Sequence, residues 1–302
     1  LLFSINRRKS IPSYNNLIGK YAIMKANSTQ FFSVMGIVNV TPDSFFDGGV
    51  HSTIDKAVDH AQMLIDQGAA ILDFGGASSR PGAQIVPIDE EIARVVPVIK
   101  KIAQRSGIPI SVDTTWVSVA QKALDAGATI VNDISAGRFD PGMPLFAGKM
   151  DCDIILMHSR KDPVTMQDDP FYTDVIEEVK NELCDSVKLF TDNGVRKEKI
   201  SVDPGIGFAK TADHNIALLN AIDEIVNIGF PVVLGTSRKN FIGKITGRDV
   251  SDRLCGSLAS IARAYQKGVR IFRVHDVKET VDFLKVFSVI ESRLGVDTYS
   301  TV

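Results

Sequence analysis

The sequence predicts a single-domain (β/α)8 TIM barrel with a basic N-terminal extension, and three observations point there. Eight short β-branched runs recur from residue 31 onward, with helical patterns between them. The runs are almost continuously apolar, as strands of a parallel sheet are when helices cover it. Eight such units in about 260 residues is the size of a closed barrel. A doubly wound open sheet is the alternative, but the GxGxxG that its first turn should carry does not follow the first run.

In chain order the expected strands are FSVMGIVN (32–39), AILDFG (70–75), PISVDT (109–114), ATIVNDI (128–134), DIILMH (153–158), ISVDPG (200–205), PVVLGTS (231–237) and RIFRVHD (270–276). Between the first two, Ile54, Ala57, Val58, Ala61 and Ile65 form the stripe of a helix with one buried face. Leu254, Leu258, Ile261 and Tyr265 repeat it before the last strand, and Val277, Val281 and Leu284 after it. Gly68, Gly127 and Gly268 each stand one or two residues ahead of a strand, where a helix end calls for positive φ.

With 44% hydrophobic and 23% charged residues, the 302-residue chain can bury a sizeable core. A net charge of −2 supplies no general attraction to nucleic acid or membrane. No apolar run reaches the roughly 18 residues of a membrane span. Cys152, Cys184 and Cys255 are widely spaced and form no metal pattern, which suits reduced thiols in a cytoplasmic compartment. Residues 1–30 carry Arg7, Arg8, Lys9, Lys20 and Lys25 and no acid, the first carboxylate being Asp43. This leader reads as a linker from an upstream domain, with an organellar targeting segment as the alternative. The main domain is then 31–302.

Polar residues gather where the runs end: Asn39, Asp73, Asp113, Asn132 with Asp133, His158, Asp203, Lys239, and Arg273 with His275. In a barrel these ends converge on the rim that carries the active site. Asp or Asn after a strand is often only a cap or turn former, and Asp73, Asp133 and Asp276 are evenly divided between the two readings. Asp113, Asn132, Asp203 and Lys239 suit a flat heterocycle with a guanidine-like edge, because a carboxylate accepts two parallel N–H bonds and an amide both donates and accepts. Asn39, Arg80, Arg273 and His275 read as an anion site, phosphate above all. Asn39 adds a neutral oxygen suited to Mg2+. GTSRKNFIGK has the wrong spacing for a Walker A loop. Two loops, PDSFFDGG (42–49) and GGASSRPGA (75–83), mix glycine with Phe, Ser and Arg and are expected to close over a ligand.

NVTPDSF, DFGGASSRPG, SVDT, VNDISAG, SVDPGIGF, LGTSRK and RVHDV stand in the order and spacing of the dihydropteroate synthase family, which the chain resembles from about residue 32 to about 290. The resemblance implies a (β/α)8 barrel in which p-aminobenzoate displaces pyrophosphate from 6-hydroxymethyl-7,8-dihydropterin pyrophosphate. Carried over by position, Asp113, Asn132, Met157, Asp203 and Lys239 hold the pterin. Asn39, Ser79, Arg80, Arg273 and His275 hold pyrophosphate, with Asn39 reaching Mg2+. Ser44, Phe45, Arg80, Pro81, Phe208, Ser237 and Lys239 shape the aminobenzoate pocket, where sulfonamides compete. Asp113, Lys239, Arg273 and Asp47 carry catalysis. A homodimer through the later helices is implied, and the leader is where a fused pterin pyrophosphokinase domain would join.

The step implied is ionisation followed by capture: cations and metal at the departing oxygens, negative charge beside the ring, and loops that exclude water. This chain departs from the family's pattern at Ala77 and Ser79 (GGASSRPG for GGESTRPG), at Ser159 to Asp162 after the fifth strand, and at Phe46. Two alternatives share the pterin residues: a methyltransferase acting on methyltetrahydrofolate, which has no use for a pyrophosphate cradle, and a non-catalytic pterin-binding homologue.

Overall fold

A computed structural model describes residues 31–41, 49–78, 82–83, 86–161, 164–166 and 168–294, with the side chains of the second span described from residue 54. Eight parallel strands run β1 (Ser33–Asn39), β2 (Ile71–Gly75), β3 (Ile110–Asp113), β4 (Ile130–Asp133), β5 (Asp153–Met157), β6 (Ile200–Asp203), β7 (Val233–Leu234) and β8 (Ile271–Val274). The helices are α1 (Gly49–Asp66), α2 (Ile88–Arg105), α3 (Val117–Asp125), α4 (Met143–Met150), α5 (Val175–Asp192), α6 (Ala212–Asn220), α7 (Ile222–Val226), α8 (Asn240–Thr246), α9 (Leu254–Gln266) and α10 (Val277–Leu294). The sheet order β6-β5-β4-β3-β2-β1-β8-β7 leaves β6 and β7 as its two ends. A single bridge between Val202 and Val232, with Val202 N–H donating to Pro231 O at 2.9 Å, closes the ring.

All eight expected strands are present, each trimmed at one end or both. The largest difference is at the seventh, expected to reach Ser237 but ending at Leu234. The chain turns there instead, with Lys239 N–H reaching Thr236 O at 3.3 Å and Arg238 in the left-handed region at φ 57°. Gly68, Gly127 and Gly268 have the expected positive φ, at 96°, 115° and 102°.

Because side chains alternate along a strand, the barrel has two apolar cores. Outward residues such as Val34, Val38, Leu72, Phe74, Val112, Val131 and Phe272 meet the helices. Gly36 faces the same way: a Cβ there would lie 3.0 Å from Leu64 Cδ1, so helix and strand close up on the missing side chain. Inward residues Met35, Ile71, Ile130, Ile155, Val233 and Ile271 form a second buried cluster inside the barrel. On the next inward layer the chemistry changes to Asp73, Ser111, Ser201 and Arg273, and then to Asn39, Asp113, Asn132 and Asp203 at the mouth. Apolar packing below thus forms the platform for polar groups above. No helix among the described residues is long and apolar enough to cross a membrane.

Ile155 tests the platform. It is fully buried in the inner core, so Ile155→Ala should cost about 2–5 kcal/mol in urea unfolding; a cost well under 1 kcal/mol would show that the interior is loosely packed.

Candidate active site

The mouth is ordered by strand register. Asn39 pairs with Gly75, Gly75 with Asp113, and Asp113 with Asn132, so four consecutive strands set these inward residues side by side in one cross-strand row. Gly75 leaves this row open: a Cβ there would lie 3.7 Å from Asp113 Cβ and 3.8 Å from Asn39 Oδ1, and any longer side chain would fill the gap. Asp113, Asn132, Met157, Asp203, Phe208, Lys239 and Arg273, with Ile134, Ile206 and Gly235, line one recess. Residues scattered over more than a hundred positions of sequence therefore meet at a single pole.

Arg273 organises the floor. Its Nε donates to Asp73 Oδ2 at 2.6 Å and its Nη2 to Asp113 Oδ2 at 2.7 Å. Asn132 Nδ2 reaches the same Asp73 oxygen at 3.1 Å. Reading the sequence separated Arg273, as a phosphate group, from Asp113 and Asn132, as ring-binding groups. The structure joins them, since a guanidinium on β8 is long enough to cross the barrel to β2 and β3. Asp73 is fully buried and holds two site residues in place, so it is not a cap. Asp133, by contrast, does form a turn, accepting from Ser135 N, Ser135 Oγ and Gly137 N. Asp276 belongs to Arg238, through Nε at 3.0 Å and through Nη2.

Burial sets the charges. It pushes the Asp113 carboxyl up to about 7, against the pull of the Arg273 guanidinium. It raises Asp203 as well, while the Gly205 N–H bond at 2.7 Å and the Lys239 charge favour ionisation. Burial and the neighbouring Arg273 lower Lys239 to about 8. Lys239 Nζ lies 4.1 Å from the centre of the Phe208 ring, a cation–π contact that fixes both. His275 is pushed down to about 3 by burial and by Arg273, so its imidazole is neutral. Ser237 Oγ accepts from the His275 backbone N–H at 3.2 Å and lies 3.0 Å from Nδ1. The tautomer of the neutral ring decides which of the two donates along the Oγ–Nδ1 contact.

The loop after β6 is pinned at every turn. Gly205, at φ 69°, packs so closely that a Cβ would lie 1.9 Å from His158 O. Gly207 N–H donates to Asn215 Oδ1 at 2.7 Å and Tyr172 OH to Ala209 O at 3.0 Å. Lys210, buried and lowered by that burial to about 7, donates to Phe208 O at 3.0 Å and sits 2.9 Å from His158 Nδ1. His158, lowered to about 4 by burial and by Lys210, passes its other nitrogen to Glu182 at 3.0 Å. His158 is therefore a satisfied partner beneath the loop that carries Phe208. Reading the sequence missed Lys210, which in GFAK looks like an ordinary exposed lysine.

Asn39, Ser237 and His275 stand at the rim, outside the residues lining the recess. Ser44, Phe45, Phe46, Asp47, Ser79, Arg80 and Pro81 lie outside the described residues, as do most of the first expected loop and the middle of the second. Among the described residues no group of three or more His, Cys, Asp or Glu side chains makes a metal cage. Asn39 beside the open space at Gly75 offers one neutral oxygen, which fits Mg2+, an ion that keeps its waters and takes most ligands from substrate phosphates.

A closed parallel barrel with two acids, an amide and an ammonium around one recess defines a pterin-binding enzyme, and the family model described as "Pterin binding enzyme" matches residues 35–275. The dihydropteroate synthase of Bacillus subtilis (strain 168) is 44% identical over 263 residues, covering 87% of this chain and 90% of the relative. The fold is similar to that of Xanthomonas albilineans dihydropteroate synthase with 4-aminobenzoic acid, with a TM-score of 0.82 and 41% identity over 86% of this chain and 93% of that one. It is also similar to Yersinia pestis dihydropteroate synthase in a sulfonamide drug complex, with a TM-score of 0.81 and 39% identity over 86% and 94%. The chain belongs to the dihydropteroate synthase family.

Asp73 gives the test of the floor. Asp73→Ala removes one of two partners from a buried guanidinium, which should cost roughly 3–5 kcal/mol in denaturant unfolding. Unchanged stability would mean that Arg273 does not depend on this pair.

Proposed function

We infer that the chain makes 7,8-dihydropteroate, joining p-aminobenzoate to 6-hydroxymethyl-7,8-dihydropterin pyrophosphate with release of pyrophosphate. The observation that carries this is the convergence of Asp113, Asn132, Asp203 and Lys239 on one recess with Arg273 beneath. The 2-amino-4-oxo edge of a pterin offers the parallel N–H donors that the carboxylates accept, and the Asn132 amide and Lys239 ammonium complete the match. Met157, Ile134 and Ile206 supply apolar contact to the ring faces.

In the reaction the C–O bond to pyrophosphate breaks and leaves positive charge on the methylene carbon, spread into the ring. Ionised Asp113, at the end of the Asn39–Gly75–Asp113 row, stabilises that charge from the protein side. Asn39, Arg273 and the neutral His275 imidazole face the leaving group, Arg273 with Nη1 outside both of its carboxylate pairs. Asn39 would hold Mg2+, which when bound neutralises charge on the departing oxygens. The neutral arylamine nitrogen then forms the C–N bond and loses one proton to solvent. An arylamine needs no strong base. Phe208 and the Lys239 stem form one wall for its ring, with Ser237 at its carboxylate end. Ser44, Phe45, Asp47, Ser79, Arg80 and Pro81 are assigned to the loops that seal the other side.

The same wall accommodates a sulfonamide in place of p-aminobenzoate. A homodimer is supported by Val286, Val289 and Ile290, which are 64%, 49% and 51% exposed at i, i+3 and i+4 on α10.

Arg273→Ala and Lys239→Ala should each abolish p-aminobenzoate-dependent pyrophosphate release while circular dichroism keeps the barrel's signature. Near-normal rates in either would remove the assignment. The charges also fix a pH profile. Asp113 loses its negative charge as pH falls through about 7, and Lys239 its positive charge as pH rises through about 8. Therefore kcat/KM for the pterin substrate should follow a bell with limbs at those values. A flat profile from about pH 6 to about pH 9 would contradict it.

A further inference from the structure

Arg238 does not line the recess, yet it stands between two residues that shape it. Its backbone is left-handed at φ 57°, a conformation disfavoured for any residue with a Cβ and found where the surroundings impose it. Three contacts impose it here. Its N–H donates to Ser257 Oγ at 2.9 Å, and its carbonyl accepts from Arg253 Nη1 at 3.1 Å. Its guanidinium grips both oxygens of Asp276, Nε to Oδ2 at 3.0 Å and Nη2 to Oδ1. Asp276 follows His275 directly and is anchored in turn, its carbonyl accepting from Thr280 N at 3.1 Å and Thr280 Oγ1 at 2.7 Å.

The need for such a tie follows from the short seventh strand. Its ladder ends at Leu234, so Ser237 and Lys239 lie beyond any sheet hydrogen bond. Resting on the synthase reading above, we propose that Arg238 and Asp276 form a positioning clamp. It fixes the distance between the arylamine wall (Ser237 and Lys239) and the leaving-group wall (Arg273 and His275). Neither residue touches the reactants. The fork geometry matters more than charge alone, because two parallel bonds set an orientation that one does not. The pair is 35% and 14% exposed, so water screens it and its weight in overall stability is small.

The test is steady-state kinetics with both substrates on the full chain, beside thermal melting. Asp276→Asn and Arg238→Met should each lower kcat/KM for p-aminobenzoate by roughly ten- to hundredfold, the cost of misplacing a nucleophile by about an ångström. Binding of the pterin substrate alone should be unchanged, and melting temperature should stay within about 3 °C of the parent. Arg238→Lys, which holds one carboxylate oxygen instead of two, should fall between. The double variant should be no worse than either single one, as for groups acting as a unit. Wild-type turnover with unaffected variants would overturn the clamp alone, as would rate losses that track melting or weaken both substrates equally. No turnover in the wild type would overturn the synthase reading and the clamp with it.

Discussion

One guanidinium held between two buried carboxylates determines the rest of the site. Asp73 and Asp113 lie on neighbouring strands in the barrel mouth, where neither is comfortable as an isolated charge. Arg273, reaching over from β8, compensates both at 2.6 and 2.7 Å. Asn132 is then oriented by the oxygen of Asp73 that Arg273 also uses. The recess owes its shape to this arrangement, and its chemistry too, because Asp113 keeps a proton affinity that a fully compensated carboxylate would lose. Apolar residues one layer below make the arrangement rigid. The same parallel register that packs Ile71, Ile130 and Ile155 delivers Asp113, Asn132 and Met157 to the rim.

Charge is distributed with economy at the other edge. His275 is neutral, and it adds a polar but uncharged ring where Arg273 already supplies positive charge. Lys239 is held close to its titration range by burial, with the Phe208 ring taking part of the place that water has left. The loop after β6 is fixed from below by Lys210 and His158 and from the side by Tyr172 and Asn215. The described part of the site is therefore preorganised.

The strands were legible because a barrel strand is apolar on both faces, and the motif residues because strand ends carry little else that is polar. Legibility stopped at side-chain reach and backbone sign. Nothing in DFGG tells a cap from a buried partner 200 positions away from Arg273. Lys210 was invisible because composition places lysines at surfaces, and it is the folded loop, with Gly205 packed against His158, that brings it inside. SRK identified Ser237 and Lys239, but a left-handed arginine between them has no signature in residue type. The homodimer reading similarly rests on exposed α10 side chains that a helical stripe alone did not separate from core.

The ring of strands has a seam. Between β6 and β7 the ladder is one bridge, Val202 to Val232, whereas the other neighbours share runs of paired residues. Local breathing of the native state begins where cross-strand bonding is thinnest, so amide exchange should be fastest along this join. Asp203 ends one of its sides and Lys239 follows the other. A ring gripped by both spans the gap as a staple, and occupancy would slow exchange at a junction that the bound molecule itself helps to close.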